Sequence, residues 1–383
     1  MMSEINKNLN IHCLGIFLIF IAIASPWFNL YISNHDIVKS YSSFFGISLL
    51  MFFTLYYKCQ MPGIYLKVNY IKLLLSMLLL FGALSISWAV NFDLAIGKFL
   101  LWSIAGFSFI MALNMSLTSQ SMTKLAWYMV ISAGIIGFIG LLQYFINPFP
   151  LTQAISPAST FGNKNMATQV LVLLFPMSIF LLLSERTKSL LTWCLALLTA
   201  ITLAYIIIAG TRAAWLSIII QILFITVYLF LRRKKTIQWI NWNQNKLAAN
   251  VFALAIILVV INLDPSGDFK NSFIEISERV VATGSSSDNS STQRFQIWNT
   301  ALKMIYDAPF FGTGLGSFSQ NLGNEGYATW TINNTSRAHN DLLELFVELG
   351  IIGVILFLSV VISITSSCIK ILQESTAQVH LFF

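Results

Sequence analysis

Charge is scarce in this chain. Asp, Glu, Lys and Arg make up 10% of it, against 57% hydrophobic residues. Soluble domains carry about a quarter charged residues, so this composition excludes an ordinary water-soluble fold over most of the length. The charge is also one-sided: 22 Lys and Arg stand against 15 Asp and Glu, a net of +7. The basic residues are dispersed among apolar runs. That argues against a nucleic-acid partner and for the basic cytoplasmic loops of a polytopic membrane protein. Cysteine is sparse too. Cys13, Cys59, Cys194 and Cys368 lie in or beside apolar runs, without pairing or metal-ligand spacing, and read as small buried hydrophobes. Sustained period-two alternation is missing, which excludes an outer-membrane barrel. No internal repeat is visible, which weighs against an inverted-repeat transporter. No carboxylate motif for a divalent cation and no Cys/His ligand spacing occur, so no metal or cofactor is expected. The first apolar run is flanked by Lys7 and lacks a small-residue cleavage site, so it reads as a first span rather than a signal peptide.

What is present is a series of long apolar runs. A spanning helix needs roughly 20 apolar residues, and about ten candidates satisfy this. They fall near 11–31, 41–58, 71–90, 94–114, 124–146, 166–184, 190–209, 213–231, 247–263 and 341–369. The expected fold is therefore all-α, a polytopic inner-membrane bundle. It divides into a transmembrane part at 1–263, an outward loop at 264–340, and a last span with a short cytoplasmic tail at 341–383. Orientation follows from Lys and Arg in the short loops. With the N-terminus inside, the cytoplasmic segments hold Lys58, Lys67, Lys72, Lys124, Arg186, Lys188 and the run LRRKK at 231–235. The long loop then faces outward.

That loop contains STQRFQIWNTALKMIYDAPFFGTGLGSF. Phe295, Trp298, Leu302 and Ile305 recur at helical spacing. Thr292 is placed to cap this helix and Pro309 to end it. An amphipathic helix at the outer membrane-water boundary is expected. Gly312, Gly314 and Gly316 lack a surrounding strand-turn-helix unit, so they are no dinucleotide fingerprint, and they read as a tight turn after Pro309.

On this topology the unusual polar residues gather at the outer level. They are Lys164 in STFGNKNMATQ, Arg212 in IIIAGTRAAWLS, Arg294 at the loop helix, and Arg337 and His339 ahead of the last span. A pocket lined by such cations suits an anionic headgroup. Each also has a plainer reading. Arg212 alone reads as a snorkelling side chain at a helix end, and Arg294 as a solvated helix face. Lys164 and His339, taken singly, read as structural. The last span opens with Asp341, Glu344 and Glu348, which fall within about 60° of one another on a helical wheel. His339 projects to the other side, so a His–carboxylate dyad within this helix is not expected. Carboxylates near lipid face a protein interior or a water-filled cavity. The acidic stripe is expected to pair with groups on neighbouring helices.

Four segments in order, STFGNKNMATQVLVLLFP, AGTRAAW, QRFQIWNTALKMIYDAPFFGTGLGSF and RAHNDLLELFVELGIIG, resemble the O-antigen ligase superfamily. That superfamily includes related polymerases and O-oligosaccharyltransferases. ISWAVNFD at 86–93 fits the same pattern, and the resemblance covers about 70–380. It implies a donor glycan on undecaprenyl diphosphate, presented at the periplasmic face of the inner membrane. It implies an acceptor hydroxyl on a lipid A core sugar, and an inverting transfer without a required metal. By the same resemblance Arg212 and Arg294 match the arginines that hold the diphosphate, and His339 matches the base. Lys164, Arg337, Asp341, Glu344 and Glu348 are candidate supporting residues. Family members often continue with further spans, whereas this chain ends ILQESTAQVHLFF soon after Lys370, which puts a truncated product among the expectations. A protein acceptor, or a growing glycan, remains an alternative to lipid A core. A transporter or flippase is the competing class, but it predicts ionisable residues at mid-membrane rather than at the outer boundary.

Overall fold

The structure, a computed structural model, describes residues 14–21, 69–114, 118–148, 155–184, 189–231, 244–263, 289–323, 337, 338 and 340–374. Among these the regular structure is helical, apart from one isolated bridge between Ile155 and Asn163. After a short helical segment at 14–21 the main helices are α1 (Tyr70–Ser85), α2 (Phe92–Asn114), α3 (Ser119–Phe145), α4 (Lys164–Ser184) and α5 (Ser189–Ile208). They continue with α6 (Arg212–Leu231), α7 (Gln244–Asn262), α8 (Asn289–Asp307), α9 (Phe318–Gly323) and α10 (Asp341–Glu374). A 3-10 turn, Ile86–Trp88, follows α1. Eight of the helices are long and apolar enough to cross a membrane. They coincide with eight of the spans expected from the sequence. The span at 41–58, most of that at 11–31, and Arg232–Lys235 of the LRRKK run lie outside the described residues.

The helices form two compact units. The first holds α3 to α7. Its core joins Ile136 and Leu141 of α3, Leu171 and Phe175 of α4, Tyr205 and Ile208 of α5, and Ala214 and Ile218 of α6. Small residues set the closest approaches: a Cβ on Gly140 would meet the Tyr205 ring at 2.1 Å. Small residues at such positions let helices pack where lipid supplies no hydrophobic drive for association. Pro176 interrupts α4 and removes the N–H that the Val172 carbonyl would accept. The Gln221 side-chain amide of α6 donates to that carbonyl at 3.2 Å instead. At the other end of α4, the buried Lys246 of α7 donates Nζ to the Leu182 carbonyl at 2.7 Å. A cation on the last carbonyls of a helix is favoured by its dipole.

The second unit holds α1, α2, α8, α9 and α10. Leu78 of α1 packs with Leu315 of the segment before α9, and with Leu345, Leu349 and Val354 of α10. α8 is amphipathic, as its spacing predicts, and stops at Asp307, before Pro309. Its buried stripe is Ile297, Ala301 and Met304, against Phe318, Leu322, Ala338 and Val347. Trp298 and Ile305 flank that stripe, whereas Phe295 and Leu302 turn outward. Thr292 lies inside the helix rather than capping it.

Candidate functional site

In the first unit the STFGNKN segment is a loop, buried at Ser159 and Thr160, that delivers the head of α4. Ser159 donates Oγ to the Ile136 carbonyl at 2.6 Å, and Gln143 Nε2 donates to the Ser159 carbonyl at 2.8 Å, both from α3. The Tyr205 hydroxyl of α5 donates to the Pro157 carbonyl at 2.7 Å. Gly162 takes φ +70, in the left-handed region that glycine tolerates, and the chain turns into the helix. Asn163 Oδ1 then accepts the Asn165 N–H at 2.9 Å, which satisfies one of the open donors at the start of α4. Lys164 is the first residue of that helix.

The head of α6 is built in the same way. Gly210, at φ +66, reverses the chain after α5. The Thr211 carbonyl accepts the first N–H groups of α6, and Trp215 Nε1 donates back to the Ile206 carbonyl at 3.0 Å. Arg212 opens α6 and is exposed. The two helix starts are tied directly: Thr211 Oγ1 donates to Asn165 Oδ1 at 3.2 Å. Lys164 and Arg212, 48 positions apart by number, therefore each open a helix, and the two openings share a hydrogen bond. Two helix N-termini and two cations make a region of positive potential suited to an anion.

In the second unit the acidic stripe finds its partner on α2. Lys98 Nζ donates to Glu344 Oε1 at 2.5 Å and to Glu348 Oε1 at 2.8 Å. Glu348 is fully buried, and its Oε1 lies 3.4 Å from the Phe318 N–H. Its second oxygen, Oε2, has no hydrogen-bond partner. Glu344 uses its other oxygen on the chain before its own helix, where Ala338 N–H donates to Oε2 at 3.3 Å. The Ala338 carbonyl accepts Trp298 Nε1 of α8 at 3.0 Å. Asn340 caps α10: its Oδ1 accepts the Leu343 N–H at 3.2 Å and its carbonyl accepts the Glu344 N–H at 3.0 Å. Asp341 is exposed and stands apart from the ion pairs, and Arg337 is exposed as well.

Below this cluster α10 is broken. Gly350 has φ 61 and ψ −166, a conformation essentially confined to glycine. The break strands helix backbone groups, and the FFGTGLGS segment supplies their partners. Thr313 N–H donates to the Val347 carbonyl and Gly314 N–H to the Glu348 carbonyl, both at 2.9 Å. On the far side of the break, Ile351 N–H donates to the Pro309 carbonyl at 2.9 Å. The segment is thus a wedge in the helix rather than only a turn after Pro309. Gly312, Gly314 and Gly316 all take positive φ, and a Cβ on Gly314 would lie 2.4 Å from Ala89 Cα. Ser317 Oγ accepts the Val90 N–H at 3.1 Å, and Leu315 N–H donates to Ser85 Oγ at 3.2 Å. The ISWAVNFD and GTGLGSF stretches are therefore bonded neighbours.

Of the residues singled out in the sequence, Lys164 and Arg212 are brought to one end of the first unit. Glu344 and Glu348 share a cation in the second. Arg294 is the sixth residue of α8, with its side chain outside the described set, and His339 lies outside the described residues. Lys98 was not among the candidates read from the sequence. Its signal was present, since a lone lysine in the apolar run FDLAIGKFLLW calls for a buried partner. Among the described residues no three His, Cys, Asp or Glu side chains are grouped to hold a metal ion.

Residues 197–358 match the family model described as O-Antigen ligase. The matched stretch runs from the middle of α5 into α10 and includes Arg212, Arg294, Arg337, His339, Asp341, Glu344 and Glu348. No curated protein matches the chain. The spanning helices make it a multi-pass membrane protein, and residues 197–358 are the stretch in which it is similar to the O-antigen ligase family.

Proposed function

We propose that this chain, whose residues 197–358 match the O-antigen ligase family model, moves a glycan from undecaprenyl diphosphate to a hydroxyl of a lipid A core sugar. The transfer is inverting and metal-independent, and it takes place at the periplasmic face of the inner membrane. The acceptor oxygen attacks the anomeric carbon from the face opposite the phosphate. Its proton passes to His339, the bond from the sugar to phosphate breaks, and undecaprenyl diphosphate leaves with the bonding pair. Arg212 and Arg294 bind the diphosphate in this scheme. Guanidinium presents fixed donors to phosphate oxygens and keeps its charge. Charge gathering on the leaving diphosphate is then met by preorganised cations. A histidine near its ordinary pKa of about 6.5 is largely neutral at neutral pH and accepts a proton.

The observation that carries this reading is the pair of joined helix heads bearing Lys164 and Arg212. It is an anion-favouring arrangement, with the Arg212 head inside the family-matched stretch and the Lys164 head before it, built by backbone turns rather than by chance proximity of long side chains. Lys164 adds a third cation for the same diphosphate.

The test is a lipopolysaccharide gel from ligase-deficient cells that make undecaprenyl-linked O-antigen. It compares this chain, His339→Ala at matched membrane level, and empty vector. High-molecular-weight ladders with the parent and none with His339→Ala are expected, since a general base contributes about 100- to 10,000-fold. Ladders of full intensity from His339→Ala overturn the base assignment. Glycan appearing on protein instead of lipid A overturns the acceptor.

A further inference from the structure

The last helix is longer than a membrane needs. α10 has 34 residues, about 51 Å at the helical rise, against a hydrocarbon core of about 30 Å. The Gly350 break divides it into two parts of different composition. The head, before the break, carries Asp341, Glu344 and Glu348, whereas the stretch from Ile351 to Ser366 carries no charged residue. α1 lies against that second stretch with its direction reversed. At one end the Tyr70 hydroxyl is 3.2 Å from Ser367 Oγ, and at the other Ser85 Oγ accepts the N–H of Leu315 in the wedge. Gly350 to Ser367 covers about 26 Å. Tyr70 to Trp88, with its 3-10 turn, covers about 28 Å. Two helices thus measure one slab between the same two levels, and its thickness is close to that of the hydrocarbon core. Its outward side chains are apolar: Leu73, Leu80 and Leu84 of α1 and Ile355 and Ile362 of α10 are exposed.

The wedge sets the limit from the other side. Pro309, Phe310 and Phe311 form an exposed turn. The Pro309 and Phe310 carbonyls accept the N–H groups of Ile351 and Ile352 at 2.9 and 3.4 Å, which places this turn at the break. Irregular backbone facing lipid does not occur within the hydrocarbon region, where its polar groups find no water. The break therefore lies at the edge of the hydrocarbon. Aromatic rings gather at that level. Trp88 meets Phe311 edge to face at 6.3 Å, and Phe310 and Tyr306 are 65% and 85% exposed. Trp and Tyr are favoured at headgroup level, where an apolar ring and a polar tip are both accommodated. The opposite level has Tyr70, with Lys72 and Lys370 close by in sequence.

We propose that a phospholipid surface meets the second unit at the Gly350 break: Trp88, Tyr306, Phe310 and Phe311 form a collar in its headgroup layer, and α10 is embedded only from Ile351 onward. Nothing in this depends on the glycan-transfer reading. The head of α10, with Glu344 and Glu348, then stands outside the hydrocarbon, and Lys98 carries its ammonium out to them along an apolar stem. α8 does not lie flat on the bilayer. Trp298 bonds to the chain just before the head of α10, and Pro309 bonds to the first residue past the break. α8 descends beside that head, and only its C-terminal end reaches lipid.

The experiment uses the full-length chain with its native cysteines replaced by serine. One new cysteine is introduced by Leu342→Cys, Phe310→Cys, Phe311→Cys or Ile355→Cys, all at exposed positions. Each carries a nitroxide in vesicles of phosphatidylethanolamine and phosphatidylglycerol, and depth is read from relaxation by oxygen against a water-soluble nickel complex. The labels at 310 and 311 are expected in the interfacial layer, which is about 5–7 Å thick. The label at 342, about 12 Å above the break, is expected to be relaxed by nickel, and the label at 355, about 8 Å below it, by oxygen. Should a phenylalanine variant fail to fold, Tyr306→Cys tests the same collar. A label at 342 at the hydrocarbon edge, with that at 310 about 13 Å deep, overturns the proposal and puts the boundary at Asp341. Labels at 306, 310 and 311 as open to nickel as that at 342 overturn it as well.

Discussion

Gly350→Ala isolates the broken helix. In the native chain Gly350 sits at φ 61 and ψ −166, and a Cβ there would lie 2.3 Å from the Phe310 carbonyl oxygen and 2.7 Å from the Gly312 nitrogen. Both neighbours are backbone, so no side-chain rotamer relieves the clash. The backbone strain alone costs about 1–3 kcal/mol, and forcing a methyl into packed surroundings adds about 1–3 kcal/mol. The alternative is to straighten α10. That restores its own ladder and displaces the wedge, which loses the bonds from Thr313, Gly314 and Ile351. Each such bond is worth about 0.5–1.5 kcal/mol net, so this route is no cheaper. Either way the loss is about 3 kcal/mol or more, a fall in melting midpoint on the order of 10 °C for a unit of this size. The assay is thermal unfolding of the purified protein in detergent, followed by fluorescence-detected gel filtration. Gly97→Ala is the control, because a Cβ there meets nothing within 4 Å. It is expected to be neutral or to stabilise by up to about 1 kcal/mol. A midpoint for Gly350→Ala within about 2 °C of the parent would refute the wedge argument.

Three further outcomes follow from particular contacts. Gln221→Leu leaves the Val172 carbonyl beside Pro176 without its donor and is expected to cost about 1–3 kcal/mol in the same melt. Lys98→Met strands the buried Glu348 carboxylate, at a cost of about 3–5 kcal/mol; adding Glu348→Leu should recover a large part of that, and a double variant no better than the single one would contradict the assignment of the loss to an unpaired charge. Arg212→Ala, and more weakly Lys164→Ala, are expected to raise donor KM in the transfer assay by roughly 10-fold or more, one lost charged contact being worth about 1.5–3 kcal/mol; an unchanged donor KM for both would separate the helix heads from diphosphate binding.

Local chemistry accounts for how much of the fold was readable. A spanning helix is announced by apolar length, which needs no knowledge of its neighbours. Eight of the expected spans therefore reappear as helices with nearly the same ends. Pro309 closing α8, and Gly210 turning the chain ahead of Arg212, are equally local signals. The buried face of α8 was not readable. Its period identified a helix, but Phe295 and Leu302 turn outward while Ala301 and Thr300 turn inward. The period marks which residues share a face, but which face is covered is decided by the distant segments that pack against it.

The candidate site divides in the same way. Residue type alone picked out Lys164, Arg212, Glu344 and Glu348, because ionisable groups beside apolar runs need a purpose. Their partners depend on tertiary structure. Lys98 reaches Glu344 across 246 positions of sequence, and Asn165 meets Thr211 across 46. The glycines of GTGLGS stand in the sequence without their reason. That reason is the backbone of another helix, broken at Gly350, whose stranded carbonyls and N–H groups this loop satisfies. By itself the sequence determined the apolar helices and the identity of the few charges, since both follow from solvation of single residues and short runs. Tertiary structure alone decided which charges pair and where α10 breaks, because pair energies and close packing exist only once distant segments share the same space.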